Sequence, residues 1–231
     1  MTLADRVIGC HKCPRLTEYC KLVGERKRKA FADWDYWAKP LPGFGDPKAK
    51  FLIIGLAPAA NGGTRTGRIF CGDSSGDWLV RALYQTGFAN QPISTSRDDG
   101  LKLTGVYLAA VVRCAPPKNK PTPQEVRNCL PYLGEELRVL RDVKFVMVLG
   151  RIAFQGFIKV LREEYGRDLR PLPKFQHGAV YEIGGGLPKL YVSYHPSKRN
   201  TQTKLLTWSM WIRAFREVRS ELKAAEPITN R

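Results

Sequence analysis

Four cysteines carry the clearest chemical pattern in the chain. Cys10 and Cys13 form a C-x-x-C pair, which can direct two thiolates at one metal centre. Cys114 follows an apolar stretch, and Cys129 lies in the helical stretch after it. Four thiolates in this pattern would suit either a structural zinc ion or an iron–sulfur cluster, and the spacing does not separate the two. The simpler interpretation is that Cys114 and Cys129 are small core residues.

Two ionisable residues stand close behind apolar stretches. Asp73 closes the Gly-rich loop that follows the run Phe51–Ala57, and His195 directly follows the run Leu190–Tyr194. A structural interpretation exists for each: Asp73 could be an acidic residue favoured by a helix dipole, and His195 a strand-end residue with an ordinary hydrogen bond. Open α/β sheets bind ligands at the carboxyl ends of their strands, so these positions also favour function.

The elements that must position these residues alternate between strands and helices. Amphipathic stretches with capping signals predict a helix after each strand, including one capped by Ser74 or Ser75 and a last one over Thr201–Lys223. This alternation predicts an α/β fold, a single-domain α/β/α sandwich around a four-stranded parallel sheet. The predicted strands are Phe51–Ala57, Gly105–Arg113, Phe145–Leu149 and Leu190–Tyr194. We expect one domain over residues 1–231, with a basic and aromatic surface arm at 24–50, an edge hairpin within 168–189 and a frayed tail at 225–231.

Charge is the strongest global signal. The chain has 38 Lys and Arg against 21 Asp and Glu, which gives a net charge of +17. A surplus of this size favours a polyanionic partner, and DNA or RNA is the first expectation. A basic surface that binds nothing is the alternative.

Several classes of protein are disfavoured by what the sequence lacks. No apolar run is long enough to span a membrane, and the N-terminus has no signal-peptide pattern, so a cytoplasmic protein without membrane contact is expected. No G-x-x-x-x-G-K-[ST] motif indicates a P-loop NTPase. No H-x-E with P-C-x-x-C indicates a zinc deaminase.

Three ordered segments give the chain a specific resemblance. GLAPAANGGTRTGRIFCGD, RCAPPKNKPTP and SYHPSKRNTQT resemble the motifs of the type-B, or family 5, uracil-DNA glycosylases. WAKPLPGFGDP and the N-terminal C-x-x-C-P-R are similar to the same family. The likeness runs from about Cys10 to the final helix.

The resemblance implies a fold, a cofactor and a set of site residues. It implies a four-stranded parallel α/β/α fold and an enzyme that excises uracil and other deaminated bases, such as hypoxanthine and xanthine, from double- or single-stranded DNA as a monomer. It also implies these assignments: a [4Fe–4S] cluster on Cys10, Cys13, Cys114 and Cys129; catalytic Asp73 and His195; and base contacts from Ala57, Phe70, Asn119 and Asn200. The excess of basic residues, with Lys198 and Arg199 beside His195, separately predicts phosphate contacts from these two.

Two departures from related patterns stand out. Cys71 occupies a place where Thr is expected, which puts a thiol beside the pocket. Type-A relatives have a strand Asn where this chain has Ala109, and losing that donor–acceptor pair should weaken discrimination between bases.

Two rival functions remain open at this level. One is a nucleic-acid-binding iron–sulfur protein without catalysis. The other is a relative that traps its product covalently. The second is disfavoured because the chain runs straight through GRIFCGD without the extra basic, His-containing loop of that branch.

Overall fold

The computed structural model describes residues 1–225, and its centre is a six-stranded mixed sheet. The strands lie in the order β1-β3-β2-β4-β6-β5, and the inner four are mutually parallel. The strands are β1 (Phe44–Gly45), β2 (Phe51–Gly55), β3 (Val106–Ala110), β4 (Phe145–Leu149), β5 (Val180–Tyr181) and β6 (Lys189–Ser193). The predicted four-stranded parallel sheet is therefore the central part of a larger sheet, which two short antiparallel edge strands extend.

Helices cover both faces of this sheet. They are α1 (Leu3–Ile8), α2 (Pro14–Arg26), α3 (Gly63–Thr66), α4 (Ser74–Gln85), α5 (Pro123–Val139), α6 (Arg151–Tyr165), α7 (Lys198–Gln202) and α8 (Trp208–Ala224). Within the described residues, no helix combines the length and apolar character needed to cross a membrane.

Successive side chains of β2 point to opposite faces of the sheet, and the core accordingly consists of two apolar layers. Leu52 and Ile54 pack into the layer under α1, α2, α5 and α6. Phe51 and Ile53 point the other way, into the layer under α4 and α8. Both layers are fully buried at these positions, which explains why the strand reads as a continuous apolar run. The predicted α/β/α sandwich is confirmed.

The segment 24–50, predicted as a surface arm, is partly integrated into the fold. Its start completes α2, Lys29–Phe31 form a 3-10 turn, and Phe44–Gly45 join the sheet edge. Tyr36 and Leu41 are buried, and the Leu41 N–H donates to the Arg113 carbonyl at 2.8 Å. The segment therefore helps to build the body of the protein as well as its surface.

The predictions for the C-terminal part of the chain are only partly confirmed. The edge hairpin expected within 168–189 is present in part, as β5 paired antiparallel with β6. The single helix predicted over Thr201–Lys223 is instead two helices, because Lys204 adopts a positive φ of 59° and Thr207 caps α8. The predicted frayed tail lies, apart from Ala225, outside the described residues.

Candidate active site

A cavity of about 760 Å³ opens at the carboxyl ends of three neighbouring strands. Ala57 follows β2, Gly150 follows β4, and His195 follows β6. This is the edge at which an open parallel sheet binds ligands. The cavity brings together the eight residues assigned from the sequence to base, sugar or phosphate contact: Ala57, Phe70, Asp73, Asn119, His195, Lys198, Arg199 and Asn200.

Phe70 lies in the wall of this cavity with a strained backbone. Its φ is +53°, a left-handed value that a bulky side chain adopts at an energetic cost. Tight packing enforces it: a methyl group at Gly55 would lie 2.5 Å from Phe70 Cζ, and one at Gly76 would overlap the Phe70 carbonyl oxygen. Two glycines on separate elements thus seat the ring, which is only 9% exposed.

Asp73 caps helix α4 with one carboxylate oxygen. Its Oδ1 accepts hydrogen bonds from the Ser75 and Gly76 backbone N–H groups at 2.8 and 3.0 Å. The N-cap is therefore Asp73, and the prediction of Ser74 or Ser75 is wrong by one or two residues. A methyl group at Gly62 would overlap Oδ2, so the Gly-rich loop approaches the carboxylate closely. With Oδ1 engaged by the helix, Oδ2 is the oxygen left to act in the cavity.

His195 is only partly exposed to the cavity, and the protein around it affects its charge. Desolvation by burial lowers the pKa of His195, and the nearby Asp73 carboxylate opposes this shift. The imidazole is therefore neutral near pH 7, with one ring N–H to donate.

Asn200 fixes the backbone at this histidine. Its Nδ2 donates to the His195 carbonyl at 2.8 Å, and its own N–H donates to the Ser197 hydroxyl, which caps α7. One end of the Asn200 amide is thus committed to the protein, and its Oδ1 is the atom left for a ligand. Lys198 and Arg199 are exposed in the first turn of α7, at the cavity mouth.

The loop after β3 brings Asn119 to the cavity in an unusual conformation. Lys118 and Asn119 have positive φ values of 53° and 55° in consecutive positions. Asparagine tolerates this region, whereas lysine adopts it at a cost. Both side chains are exposed. Ala109, which was expected to affect base discrimination, is fully buried in the core and does not line the cavity.

The four candidate metal ligands meet in a separate place, under the α2 and α5 side of the sheet. Cys114 and Cys129 are buried, Cys10 and Cys13 are partly buried, and all four pack into one apolar cluster. The Cys129 Sγ accepts from the Arg113 backbone N–H at 3.3 Å, and the Cys13 Sγ accepts from Asn128 Nδ2 at 3.5 Å. Desolvation by burial is the largest cause that raises the pKa of Cys129, to about 11. Within residues 1–225, no three His, Cys, Asp or Glu side chains are arranged to hold a single metal ion.

Comparisons with known proteins agree with this geometry. A family model described as "Uracil DNA glycosylase superfamily" matches residues 42–221. The type-5 uracil-DNA glycosylase of Thermus thermophilus is 47% identical over 211 residues, which cover 91% of this chain and 93% of that protein. That of Mycobacterium tuberculosis is 44% identical, over 91% of this chain and 77% of that protein. The chain belongs to the type-5 uracil-DNA glycosylases. A type-4 uracil-DNA glycosylase of Pyrobaculum aerophilum is less similar, at 31% identity over 84% of this chain and 81% of that protein.

The type-5 glycosylase fold also places residues at the cavity that the sequence did not single out. Phe175 and Tyr194 form an aromatic wall, with ring centroids 6.1 Å apart, and His177 stacks on Tyr194 at 5.0 Å. Tyr194 directly precedes His195 and could have been found from that position. Phe175 lies in a Pro/Gly-rich stretch that carries no local signal, and only the tertiary fold brings it to the cavity.

Proposed function

We propose that this chain is a DNA repair glycosylase. It flips uracil and other deaminated bases, such as hypoxanthine and xanthine, out of DNA and hydrolyses the N-glycosidic bond, which leaves an abasic site. The observation that carries the proposal is the meeting of a free carboxylate oxygen (Asp73), a seated aromatic ring (Phe70) and a neutral imidazole (His195) in one cavity. The whole chain acts as one catalytic domain on double- or single-stranded DNA.

The reaction assigns a separate task to each group. A flipped base stacks on Phe70, and its C1′ faces Asp73. As the C1′–N bond breaks, its electron pair moves to the base and positive charge develops on the sugar. The Asp73 carboxylate opposes that charge and accepts a proton from the water whose oxygen bonds to C1′. His195 donates its N–H to an oxygen of the departing base.

Breadth of substrate follows from how few polar groups can read the base edge. The amide nitrogen of Asn200 is already bound to the His195 carbonyl, and Asn119 is exposed at the mouth. Sites reject wrong ligands strongly when a wrong ligand leaves buried polar groups unpaired. A cavity with few such groups discriminates weakly, so hypoxanthine and xanthine should be accepted beside uracil.

The family resemblance implies a [4Fe–4S] cluster, and the thiols present fit one. Backbone and amide N–H groups point at two of the four sulfurs, which favours thiolate ligands. Cys10, Cys13, Cys114 and Cys129 would hold it. When bound, the cluster would supply iron–thiolate bonds that fasten the α1–α2 junction to the β3–α5 segment.

A panel of oligonucleotides tests the function. Each carries uracil, hypoxanthine, xanthine or no lesion, and formation of abasic sites is measured under single-turnover conditions. We expect release from all three lesions, and Asp73→Asn should slow it by about 10²–10³-fold while keeping the helix cap. Asp98→Asn, which changes an exposed carboxylate paired only with Arg97, is the control. If the protein bound DNA but released no base, the glycosylase proposal would be wrong and the chain would be a non-catalytic nucleic-acid-binding protein.

A further inference from the structure

A second groove meets the catalytic cavity at Asp73. It has a volume of about 850 Å³ and shares Ala59, Asp73, Ser74, Asn119 and Lys198 with the first cavity. If the proposed function holds, the sugar of the flipped nucleotide lies at Asp73, so the damaged strand must leave the cavity on one side of that residue. The second groove is one such exit.

Two aromatic rings and a buried cation form the far wall of this groove. Phe31 and Trp34 meet edge to face, with centroids 6.2 Å apart and planes at 80°. The Arg65 guanidinium carbon lies 3.9 Å from one ring centroid and 4.0 Å from the other. Both rings stay partly exposed, so they present a surface to the groove while Arg65 supports them.

The wall is rigid because Arg65 is fixed by the Gly-rich loop. This side chain is only 4% exposed, and its Nε and Nη2 donate to the Asn61 and Gly72 carbonyls at 2.9 and 3.1 Å. The loop that carries Asp73 therefore also holds the aromatic pair in register with it. An exposed pair of rings without such support would gain less from stacking, because ordering it costs entropy.

The charges around the groove suit a nucleic-acid backbone. Exposed Arg28, Lys118 and Lys198 line it, against the carboxylates Asp73 and Asp77. Lys118 is held at a positive φ, a strained conformation of the kind that persists at binding sites. Aromatic platforms combined with cations are the means by which proteins bind single-stranded nucleic acid without reading its sequence.

We propose that this groove binds the nucleotide adjacent to the flipped one in the damaged strand. Its base stacks on Trp34, and its phosphate contacts Lys118 and Lys198. The site rests on the proposed function only in taking the flipped sugar to lie at Asp73. Binding in this groove would let the enzyme hold single-stranded DNA without a complementary strand.

A fluorescence experiment tests the placement. Uracil oligonucleotides carry 2-aminopurine at one of four positions, which are the two nucleotides on the 5′ side of the lesion and the two on its 3′ side. Binding is measured in the Asp73→Asn background so that the substrate persists. In one adjacent position the probe should be quenched on binding, and Trp34→Ala should restore its emission and weaken single-strand binding by about 5- to 100-fold. Trp34→Phe should keep most of the binding. Trp37→Ala is the control, since Trp37 is in the same segment but lines neither cavity.

Two results would overturn the proposal. One is equal binding by the Trp34→Ala and Trp37→Ala proteins, and the other is identical probe emission in both at all four positions. Lys118→Gly gives a second measurement, because glycine relieves the backbone strain while removing the charge. The slope of log K against log[salt] should fall by about 1 in that variant. Base release by the unaltered enzyme is measured separately, so failure of the groove and failure of the catalytic assignment give different outcomes.

Discussion

Gly55→Ala should disable the site without touching any group that performs chemistry. The new methyl would lie 2.5 Å from Phe70 Cζ, whereas ordinary contacts begin at 3.4 Å, so the ring must withdraw by at least 0.9 Å. The Phe70 backbone cannot yield easily, because Gly76 packs against its carbonyl and its φ is already strained. The ring must therefore move within the cavity, where the base is expected to stack.

The size of the effect follows from that displacement. A misplacement of about 1 Å in an active site can cost about 10²-fold in rate, and stacking of one base is worth about 1–3 kcal/mol. We expect kcat/KM for uracil release to fall by about 10- to 100-fold, and by a similar factor for hypoxanthine, since stacking does not depend on the base edge. Single-turnover formation of abasic sites in an end-labelled oligonucleotide measures it.

Two further variants make the reasoning refutable. Gly156→Ala creates a comparable clash, 2.6 Å from Val111 Cγ2, but in the core away from the cavity, so it should alter thermal stability and leave the rate unchanged. In a Phe70→Ala background the Gly55→Ala change should add little, because the side chain it displaces is gone. Full activity of Gly55→Ala, or additive losses in the double variant, would show that Phe70 is not the platform for the base.

Four other outcomes are expected. Glu136→Gln leaves the buried Arg113 guanidinium without its anionic partner and should lower the free energy of unfolding by about 3–5 kcal/mol in urea titrations. Glu163→Gln, at the exposed pair with Lys159, is the control and should change it by less than about 1 kcal/mol. Purified protein should be brown with about four iron atoms per chain, and Cys10→Ser or Cys114→Ser should lose both iron and colour; colourless protein with stoichiometric zinc would contradict this. Lys198→Ala combined with Arg199→Ala should reduce the salt slope of DNA binding by about 2, and an unchanged slope would remove that helix turn from the DNA surface. Burial lowers the pKa of His195 below its unfolded value of about 6.5, so the unfolded state binds the proton more readily. Thermal stability should therefore fall as the pH drops below about 6.5, and His195→Gln should reduce that fall. The same pH dependence of stability in both proteins would count against the burial argument.

The central strands could be predicted from the sequence because burial on both faces gives them continuous apolar runs. All four begin within one residue of the predicted position: β2 and β4 begin at it, β3 begins one residue later and β6 one residue earlier. The edge strand β1 was missed. Only two residues long, it lies in a Pro/Gly-rich stretch and depends on pairing with β3, which no local pattern reveals.

Motifs predict a set of site residues, and the structure brings those predicted to contact DNA or the base into one cavity, but their conformations could not be predicted. The left-handed backbone of Phe70 is imposed by Gly55 and Gly76, which are distant from each other in sequence and meet only in the fold. The contact of Arg65 with the Phe31 and Trp34 rings could not be predicted either, because it joins two segments between which the sequence shows no connection. The break between α7 and α8 was missed because Lys204 carries no signal for a positive φ.

The order of the strands also bears on how the enzyme is made. Asp73 follows β2, while His195 and Asn200 follow β6, which pairs with β4 rather than with β2. A growing chain on the ribosome therefore exposes the carboxylate half of the cavity well before the imidazole half exists. Phe70 packs in the core layer that α8 covers, so the packing around its strained ring is complete only after the last strand and α8 have been made. A chain that ends before β6 therefore lacks part of the cavity wall, and we expect it to release no base from DNA.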